Sequence, residues 1–273
     1  MNKIFYTFFA ITLLLFGCDE NADRNQAFIK GRDALKQKDF TVAKTQLQLS
    51  VKYDSNFAEA WNNLGIAHTE LEEYHEAINA YNKAILIDSC LQDAYQNKAN
   101  LLYLKDEKSK AIALLSQGLN CNLENKSLLL NRATLYQDQK MYEKALEDLR
   151  ALKRLVAEDD VLYTNLGYCF FELEELDSAF HYSVVALEIN PKRDEAANNL
   201  GMIAMKKKES EDAYKFFKKA VDIKPQNSLY RANVAKAAIE IGKLEEACKN
   251  VKMAKYYNSK GNYDSLISMS CKE

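Results

Sequence analysis

Residues 58–91 read AEAWNNLGIAHTELEEYHEAINAYNKAILIDSCL, and this stretch decides the fold. Gly65 lies in its first half, and Ala77 and Ala84 lie in its second. Between them the larger apolar residues Trp61 and Leu64, then Tyr74, Ile78, Tyr81 and Ile85, recur at spacings of three and four. That spacing puts each set on one stripe of a helix. Minimal side chains inside two consecutive stripes predict an antiparallel helix pair whose backbones cross closely.

A shift of 34 residues reproduces the pattern along the chain. The Ala77 register falls on Ala43, Ala77, Ala111, Ala145, Ala179, Ala213 and Ala247, alanine every time. The Gly65 register gives Gly31, Gly65, Ala99, Ala133, Gly167, Gly201 and Ala235, always small. The closing-turn register is looser: Ser55, Ser89, Leu123, Ala157, Pro191, Pro225 and Ser259. With Trp61, Leu64, Gly65, Ala77, Tyr81 and Ala84 on the signature positions, the chain resembles the tetratricopeptide repeat family, whose period is about 34 residues. Ser89 stands where that signature usually closes with Pro.

The resemblance implies an all-α fold: an α-solenoid of seven helix-turn-helix repeats in a right-handed superhelix. The repeats are expected over 24–57, 58–91, 92–125, 126–159, 160–193, 194–227 and 228–261. The first is degenerate, with Ala27 and Lys30 in place of the signature aromatic and Leu. Residues 262–273 follow, and Tyr263, Leu266, Ile267 and Met269 read as a short amphipathic cap over the last repeat. Only two Pro and eight Gly interrupt the 273 residues, and no strand alternation stands out. A formal charge of −2 with intermixed signs argues against a nucleic-acid footprint, and the short Lys206–Lys208 run reads as a solvated helix end.

Residues 1–17 read as a leader: Lys3 is its charge, Ile4–Phe16 its apolar run, too short for a spanning helix. Leu15-Phe16-Gly17-Cys18 resembles a bacterial lipobox, which makes Cys18 the lipidation site and 18–23 a short linker. That implies a lipid-anchored protein of the bacterial cell envelope, expected on the outer membrane at its periplasmic or surface face. An ordinary secretory signal with an incidental Cys is the other reading. Of the remaining cysteines, Cys248 and Cys271 are placed to bridge the last repeat to the tail, Cys169 reads as a buried small hydrophobe, and none has metal-ligand spacing.

Catalytic patterns are missing. His75-Glu76-Ala77-Ile78-Asn79 begins like a zincin helix, but Asn79 replaces the second ligand. With three His, no phosphate loop and no nucleophile motif, the sequence predicts no enzyme, no metal, no cofactor and no small-molecule substrate.

The feature that suggests binding is an amide ladder. The sixth position of the first helix reads Asn63, Asn97, Asn131, Asn165, Asn199 and Asn233, with Ile29 in the first repeat. Each amide carries donors and an acceptor. In the resembled family such a ladder lines the concave groove and holds peptide main chain; bonding to a neighbouring repeat is the alternative. One and two turns further, Asn100, Thr134, Tyr168, Met202 and Lys236, then Tyr103, Gln137, Phe171, Met205 and Ile239, would set specificity. Tyr168, Phe171, Met202 and Met205 are expected as an open aromatic–methionine patch. The chain is therefore expected to be a membrane-anchored scaffold for a protein or extended peptide. A self-associating structural role, or an accessory that recruits an envelope hydrolase or protease, is the competing expectation.

Overall fold

The structure, a computed structural model, describes residues 21–271. The expected leader and the proposed lipidation site Cys18 lie outside them. The chain divides into two compact units between Leu135 and Tyr136. The first holds α1 (21–36), α2 (Phe40–Tyr53), α3 (Ala58–Glu70), α4 (Tyr74–Ile87), α5 (Gln92–Leu104) and α6 (Lys108–Leu119). Helix α7 (Lys126–Asp138) runs across the division. The second unit holds α8 (Tyr142–Leu155), α9 (Asp160–Glu172), α10 (Leu176–Ile189), α11 (Asp194–Lys206), α12 (Ser210–Ile223), α13 (Ser228–Glu240), α14 (Leu244–Tyr257) and α15 (Asp264–Ser270). There is no strand among the described residues.

Small side chains are what let these helices pair. All seven alanines of the Ala77 register are fully buried. Gly65 and Gly201 lie directly beneath the rings of Tyr81 and Phe217; a Cβ added at Gly65 would sit 2.5 Å from Tyr81 Cε1. A bulky residue on the second helix thus fills the space that a hydrogen on the first leaves open. In the α9–α10 pair both partners, Gly167 and Ser183, are small, and here the backbones themselves close in: a Cβ on Gly167 would stand 3.2 Å from the Ala179 carbonyl. Close-packed interiors tolerate no spare methylene at such crossings.

The turn inside each pair recurs as strictly as the alanines. After α3, Glu73 N–H donates to His68 O at 2.9 Å and Glu72 N–H to Thr69 O at 3.0 Å, a left-handed helix stop. Lys38, Glu72, Asp106, Lys140, Glu174 and Lys208 hold φ near +60°, and Gly242 takes the same place after α13. Only the last of these is the residue type that adopts this conformation without steric cost. Each side chain there costs roughly 1 kcal/mol. Glu72→Gly is therefore expected to stabilise the protein by about 1 kcal/mol, read as a melting temperature raised by a few degrees. A lowered melting temperature would show that the Glu72 carboxylate contributes more than its backbone costs.

Two disulfides are present among the described residues. Cys248–Cys271 ties α14 to the chain end, with Cα atoms 4.9 Å apart, and Tyr263, Leu266 and Ile267 pack against the core of α11–α14. Met269, expected in that cap, is exposed instead, because it falls on the other face of the seven-residue helix α15. Cys90–Cys121 was not anticipated from the sequence: it joins the turn after α4 to the turn after α6. Cys121 stands in the register held by Ile87, Leu155, Ile189 and Ile223 elsewhere, and α6 stops at twelve residues where α4 has fourteen. A covalent link thus replaces an apolar contact. At the other end, helix α1 is already formed at residue 21, three residues before the expected start of the first repeat at 24.

Candidate functional site

First helices of neighbouring pairs lie side by side, α3 against α5 and α9 against α11. This contact decides what the amide ladder can do. Asn97 Nδ2 donates to Asn62 Oδ1 at 3.1 Å, Asn233 Nδ2 to Asn198 Oδ1 at 2.8 Å, and Asn199 Nδ2 to the Thr164 carbonyl at 3.2 Å. Each bond reaches back 35 residues, to the fifth position of the preceding first helix. Three of the six amides therefore spend a donor on holding adjacent repeats in register. Asn199 and Asn233 are buried as well, which corrects the expectation that they face a groove. Asn63, Asn97, Asn131 and Asn165 remain half-buried.

Asn131 is the ladder amide that the structure sets at an opening. With Asn100, Tyr103 and Thr134 it rims a cavity of about 180 Å³ whose apolar floor is Ala99, Leu115 and Leu135. Tyr103 is 42% exposed at its edge, and the Lys108 ammonium lies 5.5 Å from the ring centroid. All of these residues belong to the first unit.

The patch expected in the second unit is not open. Tyr168, Phe171, Met202 and Met205 are all half-buried. Met202 and Met205, with Ile239, pack against the core of α11–α14, and Tyr168 meets the Tyr142 ring edge-on at 6.1 Å between centroids. Long side chains on the first helices lean on residues of other helices, which a pattern read one helix at a time does not reveal. Gln137, assigned to groove specificity, is buried; its Nε2 donates to the Asn165 carbonyl at 3.1 Å and to Cys169 Sγ at 3.0 Å.

The reactive groups are occupied structurally. Burial pushes the Cys169 thiol up to about 11, so it is not a thiolate nucleophile at neutral pH. His68 is buried and its Nδ1 lies 2.5 Å from Glu73 Oε2, across the turn between α3 and α4. Lys44 Nζ donates to the other oxygen of Glu73 at 2.7 Å, and this bond, with the His68 contact, holds the carboxyl below the usual range. His75 and Asn79 bond to each other at 3.0 Å on the surface of α4. Among the described residues no group of three or more His, Cys, Asp or Glu converges as metal ligands, and no helix is long and apolar enough to cross a membrane.

Two stretches, residues 58–89 and 194–227, match sequence models of the tetratricopeptide repeat. The chain carries tetratricopeptide repeats, and its fold class is the α-solenoid they build. Over 120 residues it is 33% identical to tetratricopeptide repeat protein 37 of Xenopus laevis, covering 43% of this chain and 7% of that protein. Among solved structures it is similar to a tetratricopeptide repeat protein from Parabacteroides merdae, with a TM-score of 0.72 at 15% identity over 92% of this chain and all of the other. It is also similar to YrrB, described as a tetratricopeptide repeat protein with an unusual peptide-binding site, with a TM-score of 0.57 at 23% identity over 67% of this chain and 95% of that one. At these identities the structural likeness establishes the fold alone.

Proposed function

We propose that this protein is a non-enzymatic, membrane-anchored interaction scaffold that binds an extended segment of a partner protein along its first helices. The observation that carries the reading is the cavity beside Asn131. At about 180 Å³ it is smaller than the roughly 300–1,000 Å³ of pockets that enclose a free ligand, and suits a single apolar side chain. Ala99, Leu115 and Leu135 would receive that side chain, while Asn131, Asn100 and Thr134 offer donors and acceptors to the main chain on either side of it. Tyr103 would close over it. Asn63 and Asn97 would extend the contact to the preceding repeats of the same unit. The peptide-binding site named for YrrB supports the same use of a shared fold.

Anchoring belongs to the same proposal. Cys18 would carry the lipid, and two disulfides suit an oxidising compartment outside the cytoplasm. The outer membrane is the proposed address. A peptide selected from a random library by the purified protein tests the site: Asn131→Ala should weaken its affinity about fivefold, the worth of one hydrogen bond of ~1 kcal/mol, with the melting temperature unchanged. Equal binding by wild type and variant would remove Asn131 from the site.

A further inference from the structure

Helix α2 presents an apolar stripe to the outside. Val42, Leu49 and Tyr53 are 45%, 36% and 40% exposed, and their spacing of seven and four residues lines them up along one side of the helix. The Tyr53 register is apolar in most later repeats as well, at Ile87, Leu155, Ile189, Ile223 and Tyr257, but the Val42 end of the stripe is particular to α2. In the Val42 register the later repeats carry Glu76, Lys110, Lys144, Ser178, Asp212 and Glu246, the solvated residues expected of an outer face. The charge changes there too. Residues 24–57 carry seven Lys and Arg against three Asp and Glu, a net +4, whereas residues 58–91 carry Lys83 against six acids, a net −5. Lys38 and Lys52, both exposed, lie on α2 or at its entry, beside the stripe.

Cys18 is three residues from the first described turn of α1, a reach of ~10 Å at most. We infer that the outer face of α2 docks on the surface of an anionic lipid bilayer, with Val42, Leu49 and Tyr53 entering the headgroup boundary and Lys38 and Lys52 on phosphates. This rests on the anchoring proposed above, which would hold the first repeat at the membrane. Tyr suits that boundary because its ring is apolar and its hydroxyl polar, and Lys reaches outward along its aliphatic stem. A buried apolar stripe flanked by cations is the general form of such contacts. Asp19 and Glu20 precede α1 in the sequence and Asp23 lies in its first turn, so the cations of the attraction are those of α2.

The test places the probe on the stripe. In the full chain, Tyr53→Trp with Trp61→Phe is compared with the parent, whose sole Trp is Trp61. Both are bound to vesicles of phosphatidylglycerol and phosphatidylcholine brominated in the acyl chains. The inference expects Trp at 53 to be quenched several-fold more than Trp61, and Val42→Glu with Leu49→Glu to abolish the difference while the protein stays on the vesicles and keeps its circular dichroism. Equal quenching at both sites overturns it. So does a lipid-independent, concentration-dependent blue shift at 53, which would assign the face to a second copy. The mass of the N-terminal peptide reports the anchor separately. Acylated Cys18 without quenching defeats the docking face alone; quenching without acylation defeats the anchor and leaves the docking face standing.

Discussion

Ala213→Phe is expected to destabilise the second unit by ~3 kcal/mol or more. Ala213 is fully buried where α12 crosses α11, in a core with Ala197, Ala204 and Phe217. The site has no room for a benzyl group, and overpacking of this kind forces backbones apart at about 1–3 kcal/mol, occasionally more. In a protein of this size that lowers the melting temperature by roughly 5–10 °C. The neighbouring change Asp212→Ala, at an exposed position on the same helix, is the control and should move it little. An unchanged melting curve for Ala213→Phe would mean that the alanine register does not lie at the helix crossing.

The second large effect concerns the crosslinks. Cys90→Ser with Cys121→Ser opens a link across 31 residues, and Cys248→Ser with Cys271→Ser one across 23. Loops of this length give ~3 kcal/mol each in the chain-entropy account. The two losses should differ in character. Without Cys90–Cys121 the short helix α6 lacks both the bridge and the apolar residue that other repeats hold in that register, so hydrogen exchange should rise locally around 119–125. Without Cys248–Cys271, helix α15 retains Tyr263, Leu266 and Ile267 against the core and should fray only at its end. Wild-type melting temperatures from both double variants would show that neither bridge forms in the native protein.

Much of the fold was legible because its determinants are local and periodic. A small residue at a crossing is required in every repeat, so Ala43 through Ala247 disclose the helix pairs one by one. The left-handed turns were not legible, since Lys38, Glu72, Asp106, Lys140, Glu174 and Lys208 give no glycine signal; the closing hydrogen bonds of the turn impose the conformation on whatever residue is there. Cys90 and Cys121 escaped because they are turn residues of two successive repeats, and their proximity follows from stacking, which spacing within one repeat does not show.

The site was legible only in outline. The amide ladder is real as a sequence pattern, yet Asn97, Asn199 and Asn233 give donors to the previous repeat, the alternative that the residue type alone left open. Likewise Met202 and Met205 are long enough to lie on their neighbours and so are half-buried. What the structure adds is the opening between Tyr103 and Asn131, whose residues stood in the sequence as separate register positions.

Site-specific photocrosslinking at Thr134, an exposed residue on the rim of that opening, tests the central claim most directly. Capture by first helices predicts adducts that map to one continuous segment of a different protein and disappear in the Asn131→Ala, Tyr103→Ala variant. Adducts formed only with further copies of this chain, or a distinct partner captured equally well with both side chains removed, would contradict it.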